Sequence, residues 1–100
     1  MSTPERVEQA LKAAKTNLPP EVVDIRHELD IDSTGADCVR VWLIVDDAAP
    51  EDVWAFSSTS AMRDTVKRAL SGEQVDLWPY ISVRAKSEQD AFDAETAVGR

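Results

Sequence analysis

Asp46, Asp47, Glu51 and Asp52 are the densest group of side chains in this sequence that could do chemistry. They follow the most apolar stretch of the chain, Cys38 to Val45. Carboxylates at the C-terminal end of a strand can hold Mg²⁺ for phosphoryl transfer. Asp46, Asp47 and Glu51 therefore define one expectation, a metal-dependent phosphohydrolase or nuclease. Sites of that kind also recruit a Lys, a His or a glycine-rich loop, and none lies near in sequence. The same acids suit a plainer role, ending a strand and complementing the N-terminus of the helix that follows. That role is the preferred one.

His27 and Cys38 are the only residues of their types. One histidine excludes a His-rich metal site and a His–His relay, and one cysteine excludes an internal disulfide. His27 falls mid-strand on an otherwise apolar face and is expected to be half-buried. Cys38 is expected to act as a small apolar filler. If odd positions pair with odd, the two sit on opposite faces of the sheet, so they form no catalytic pair. Asp30-Ile31-Asp32-Ser33-Thr34-Gly35 resembles the opening of a calcium loop, but the twelfth position is Val41 where a bidentate Glu is required. A surface turn is the better reading. Phosphate loops, dinucleotide fingerprints and serine or zinc hydrolase motifs are absent from the sequence. No cofactor and no catalytic residue are expected.

The totals narrow the partner. One hundred residues make one domain, and 43% hydrophobic with 30% charged residues is the balance of a folded chain. A net charge of −8 argues against a general basic surface for duplex nucleic acid. It favours a basic partner instead. The N-terminus has no apolar signal core, and the longest apolar run falls well short of the ~20 residues that span a bilayer. No membrane contact is expected, and the expected location is the cytoplasm.

The elements that would position these residues follow from periodicity. Thr3-Pro4-Glu5 opens a helix whose apolar face is Val7, Ala10, Leu11, Ala14 and Leu18, and Pro19-Pro20 ends it. From Glu21 to Asp32 the period becomes two. Val23, Ile25, Leu29 and Ile31 share one face with His27, and Val22 breaks the pattern. A turn at Ser33 to Ala36, with Gly35 at positive φ, leads into the central strand and predicts an antiparallel hairpin. Pro50 to Leu70 predicts one long helix with Met62, Val66, Ala69 and Leu70 inward and Gly72 just past its end. The alternative is a short turn and a helix starting near Ser58. Asp76 to Lys86 is a strand that, because Pro79 lacks a donor, starts late or lies at an edge. Ser87-Glu88-Gln89-Asp90 resembles a capping box, and the tail from about residue 87 is helical or frayed. The order αββαβ(α) predicts an α+β two-layer sandwich, a three-stranded mixed sheet with both long helices on the odd-numbered face.

That leaves the even-numbered face, which carries Arg26, Arg40, Trp42, Ile44, Trp78, Tyr80 and Arg84. Aromatics with arginines are the residue types enriched at binding hot spots. The preferred occupant is another protein or a second copy of the chain. The C-terminal segment folding back through Phe92, a single-stranded RNA stacked on the aromatics, and a small molecule are the other readings.

Gly35 in the hairpin turn, the run from Arg40 through Trp42 to Asp47 and the run Trp78-Pro79-Tyr80-Ile81-Ser82-Val83-Arg84 together resemble a family of small uncharacterised prokaryotic αββαβ proteins. Its members are often encoded beside HEPN-type toxins. The resemblance spans residues 7–88. It implies an antitoxin-like or accessory protein of bacterial type, whose acidic charge would mask a basic ribonuclease surface. It assigns no functional residue, and the Ser57 to Ser60 stretch departs from it.

Overall fold

The computed structural model describes residues 2–98, with side chains as far as Glu95. The last two positions of the expected tail lie outside the described residues. Helix α1 spans Thr3–Thr16. Its cap is Ser2, one residue before the expected Thr3: the Ser2 hydroxyl accepts the Glu5 N–H at 3.4 Å and donates to Glu5 Oε1 at 3.0 Å. The helix ends at Thr16, ahead of the prolines, with Asn17 as its C-cap; Thr16 Oγ1 and Asn17 Nδ2 both donate to the Ala13 carbonyl, at 2.8 and 3.3 Å.

Strands β1 (Val22–Ile31) and β2 (Asp37–Val45) form the expected antiparallel hairpin, and β3 (Trp78–Ala85) runs parallel to β2 on its other side. The turn is closed by the Gly35 N–H donating to the Asp32 carbonyl at 3.0 Å, with Gly35 at φ 84°. Val22 aligns with Val45 but Asp24 aligns with Ile44, so a bulge sits at Val23. The extra residue shifts parity by one. Val22 therefore points into the core and Val23 is exposed, the reverse of the periodic reading, which also explains why Val22 broke the pattern.

The crossover from β2 to β3 departs from the long helix expected from Pro50. A short 3-10 helix (Glu51–Trp54) comes first, then helix α2 (Phe56–Gly72). Between them Ala55 is extended at φ −61°, ψ 148°, which breaks the helical hydrogen-bond ladder. Ser58 Oγ ties the two pieces by donating to the Asp52 carbonyl at 2.8 Å. At its far end α2 finishes in a Schellman arrangement: Val75 N–H reaches the Leu70 carbonyl and Gln74 N–H the Ser71 carbonyl, both at 3.0 Å. The left-handed residue is Gln74 at φ 57°, not Gly72, which is the last helical residue.

Helices α1 and α2 cover the odd face, as the alternation predicts. Val39, Val41, Leu43 and Val45 of β2 are fully buried there against Val7, Leu11, Met62, Val66 and Leu70. Burying each such aliphatic side chain contributes about 1.5–3 kcal/mol, so this row is the main source of cohesion. The cover stops short along β1. His27, Leu29 and Ile31 are exposed, which corrects the half-buried placing of His27.

A third helix, α3 (Lys86–Val98), lies across the even face at the end where β2 and β3 finish. The architecture is thus α+β with a mixed three-stranded sheet, two-layered along most of its length and covered on both sides at one end. The N-terminus of α3 is capped from a distance. Asp47 Oδ1 accepts from the Ser87 N–H at 3.2 Å and the Ser87 hydroxyl at 3.0 Å, replacing the capping box expected within residues 87–90.

Both sheet edges are blunted. On β1 the Ile25 and Ile31 N–H groups donate, at 2.8 Å each, to the carboxylates of Asp24 and Asp30. On β3, Pro79 has no donor and Arg63 Nε occupies the Ile81 carbonyl at 3.2 Å. Edges protected in this way resist strand addition.

Candidate interaction surface

The register sets the even face out in four cross-strand rows: Asp30–Cys38–Trp78, Glu28–Arg40–Tyr80, Arg26–Trp42–Ser82 and Asp24–Ile44–Arg84. Helix α3 divides them. It packs against the last two rows, burying Ile44 while Arg26 and Ser82 stay exposed, and leaves the first two open.

In the covered half, the Arg84 guanidinium lies between two rings, 5.7 Å from the centroid of Trp42 and 5.4 Å from that of Phe92. Its Nη1 donates to Gln89 Oε1 at 2.8 Å. Gln89 is buried and passes the contact on, its Nε2 donating to Asp93 Oδ1 at 2.9 Å. Asp93 Oδ2 accepts from Arg26 Nη2 at 3.3 Å, and Arg26 Nε donates to Asp24 at 3.0 Å. The Asp24 hydrogen bond and then the Asp93 charge raise the pKa of Arg26 further. Ile44 is 2% exposed, so a partner would not touch it while α3 is docked. A groove of about 400 Å³ remains between α3 and the sheet, lined by Arg26, Trp42, Arg84 and Phe92 among others. Of the seven residues assigned to the contact face by sequence, Arg26, Trp42, Ile44 and Arg84 are thus engaged by α3. The covering segment arrives through Phe92, as one of the expected arrangements had it.

In the open half, Trp78 is 65% exposed and Tyr80 41%. The Arg40 guanidinium sits 5.5 Å from the centroid of the Tyr80 ring while its Nε donates to Asp30 Oδ2 at 2.9 Å. Tyr80 OH donates to Asp32 Oδ2 at 3.4 Å. Partial loss of water, then the neighbouring Asp32 charge, pushes the Tyr80 phenol upward, so it stays a donor at neutral pH. The hydrogen bond from Arg40, then the Ile31 N–H, holds the Asp30 carboxyl below its usual range. Asp32 is lowered chiefly by the Thr34 hydroxyl at 2.6 Å and then by the Ala36 N–H. The surface around the two rings is therefore ionised and held in place by its own hydrogen bonds. Cys38 lies buried in the row with Trp78, and burial raises its thiol, which keeps it neutral and inert. His27 aligns with Val41 on the opposite face from Cys38, so His27 and Cys38 do not meet, as the parity argument requires.

The acids after β2 are used structurally. Asp46 Oδ1 accepts the Ala48 N–H at 3.0 Å, and Asp47 caps α3. Glu51 is exposed on the 3-10 helix. Among the described residues, no three His, Cys, Asp or Glu side chains are grouped so as to hold a metal ion. Nor is any described helix long and apolar enough to cross a membrane.

Sequence reasoning passed over two features. Gln89 and Asp93 hold the covered half together, and their four-residue spacing on one helical face was the available signal. Phe56, 82% exposed, and Trp54 form a second patch of exposed aromatics at the start of α2. They were hidden by the assumption of one continuous helix. No family model, curated protein or solved structure matches this chain.

Proposed function

We propose that this protein is a non-enzymatic interaction module that contacts another protein, or a second copy of itself, through the open half of the even face. The observation that carries this reading is the adjacent pair Trp78 and Tyr80, left exposed on a sheet whose remaining even-face aromatic, Trp42, is half-buried beneath Arg84. Ordering these rings for a partner costs little, because β3 already holds their backbone and Arg40 already braces Tyr80. Candidate catalytic groups support the same reading. Asp46, Asp47 and Cys38 are committed to turn, cap and core. The resemblance to proteins encoded beside HEPN-type toxins suggests an antitoxin-like or accessory role for such a module.

The test is gel filtration with light scattering, alone and mixed with the product of the neighbouring gene. It compares the natural sequence with Trp78→Ala/Tyr80→Ala and with Trp54→Ala/Phe56→Ala, each checked for fold by circular dichroism. A hot-spot aromatic is worth about 2 kcal/mol or more, so the first double variant should weaken the complex by at least about a hundredfold. The second should leave it unchanged. A complex, with a partner or a second copy, that survives the folded Trp78→Ala/Tyr80→Ala change would overturn the reading, as would the absence of any assembly with the natural sequence.

A further inference from the structure

The open half of the even face also indicates what kind of partner it fits. On it, Glu28, Asp30 and Asp32 stand against one cation, Arg40. Asp37 and Asp76 add exposed carboxylates at the same end of the sheet, one beside Cys38 and the other two residues before Trp78. The molecule displays how a guanidinium is held on this surface: Arg40 lies on the face of Tyr80 with its Nε on Asp30. The next row repeats the aromatic without the cation. Trp78 is the more exposed of the two rings, indole has the best cation-binding face, and among the described residues no Lys or Arg lies over it. Glu28 makes no ion pair among the described residues, and Asp32 meets only neutral donors. Negative charge is therefore in excess on the half of the face that carries an unoccupied ring.

We infer that the partner surface is a basic protein segment, which sets an arginine or lysine on Trp78 and further basic side chains against Glu28 and Asp32 across the same half of the face. Charge complementarity favours it over a second copy of this acidic chain, and over RNA, whose phosphates would meet the same carboxylates. The edges favour strand addition less, since some of their backbone groups are already engaged by Asp24, Asp30 and Arg63 and Pro79 offers no donor. The inference rests on the interaction reading above and adds the chemistry of the partner to it.

The probe is an alternating Gly-Arg peptide of about ten residues, with citrulline, lysine and glutamate counterparts, titrated into the ¹⁵N-labelled protein. The indole N–H resonances of Trp42, Trp54 and Trp78 are resolved by the single substitutions Trp42→Phe, Trp54→Phe and Trp78→Phe. The Arg peptide should shift the Trp78 indole with little movement at Trp54. The Lys peptide should follow more weakly, and the neutral citrulline and anionic Glu peptides should not bind. Trp78→Ala, and separately Glu28→Gln/Asp32→Asn, should weaken Arg-peptide binding about tenfold or more. A distant charge change, Glu5→Gln/Glu8→Gln, should weaken it less than about twofold, and Trp78→Ala should keep its far-ultraviolet spectrum. The inference fails if the Trp78 indole does not move, if citrulline binds as well as arginine, if the distant change matters as much as the local one, or if oligouridylate takes the site instead. A partner complex that needs Trp78 but is indifferent to Glu28→Gln/Asp32→Asn would overturn the basic-segment inference while leaving the interaction module standing. A partner complex indifferent to both changes would overturn both.

Discussion

Replacing Arg84 by Ala tests whether α3 is held by the Arg84 sandwich. The change removes a guanidinium from between Trp42 and Phe92 and takes away the donor to the buried Gln89 oxygen. Each half-exposed cation–π contact is worth about 0.5–1 kcal/mol. A hydrogen bond from a charged group adds about 1.5–3 kcal/mol. The three share one side chain and overlap, so a total of about 2–3 kcal/mol is expected. An isolated helix as short as α3, with 13 residues, is marginal in water. Detaching it should therefore melt it rather than release a stable arm. A loss of 2–3 kcal/mol raises the detached population about 30- to 150-fold. Native-state hydrogen exchange reads this directly. Protection of the α3 amides near Gln89 and Asp93 should fall by that factor, while amides of Val41 and Leu43, buried under α1 and α2, should change much less. Arg84→Lys keeps the charge but not the planar stack and should fall between the two. Equal loss of protection in α3 and β2 would show that α3 does not open separately. Unchanged protection in α3 would show that the Arg84 contacts do not hold it.

Three further outcomes follow from the same structure. Asp47→Ala removes the remote cap on Ser87 and should cost about 1 kcal/mol, seen as a lower urea midpoint and faster exchange in the first turn of α3. Gly35→Ala meets no atom within 4 Å, so its cost is the backbone term alone, about 1 kcal/mol at φ 84°, measured as a lower midpoint with an unchanged slope. Asp30 and Asp32 both have carboxyls held below their unfolded values, by Arg40 and by Thr34 respectively. Groups shifted that way stabilise the fold above the ordinary carboxylate range and lose the contribution as pH falls through their lowered values. Thermal midpoints should therefore drop on acidification below about pH 4, and Asp30→Asn/Asp32→Asn should flatten the drop.

How much of the fold was legible in the sequence depended on which interactions were local. Alternation in β2 placed Val39, Val41, Leu43 and Val45 on the covered face, because parity along a strand is a local property and both faces report it. The Gly35 turn was legible because only a glycine takes that φ without strain. Parity failed at Val22 and Val23, where one inserted residue changes the count and the break in alternation at Val22 was its only trace. The α2 start failed because alanine has the highest helix propensity of any residue, so nothing local marks the extended conformation of Ala55. The candidate surface shows the same division. Sequence placed seven residues on one face of the sheet. It did not show which of them a helix from the C-terminal end would cover, since that depends on Asp47 meeting Ser87, and Arg26 meeting Asp93, forty and sixty-seven residues away.

By itself, then, the sequence determined an acidic α+β chain with a central apolar strand, a hairpin, a parallel crossover and an aromatic-arginine face. Those follow from period, turn chemistry and charge, which act over a few residues. Tertiary structure alone decided that Arg84 is sandwiched between Trp42 and Phe92, that Ile44 is buried, and that Trp78 and Tyr80 stay open beside Asp32. The physical reason is range: docking α3 is decided by contacts between segments far apart in the chain, and no local pattern records where such a helix comes to rest.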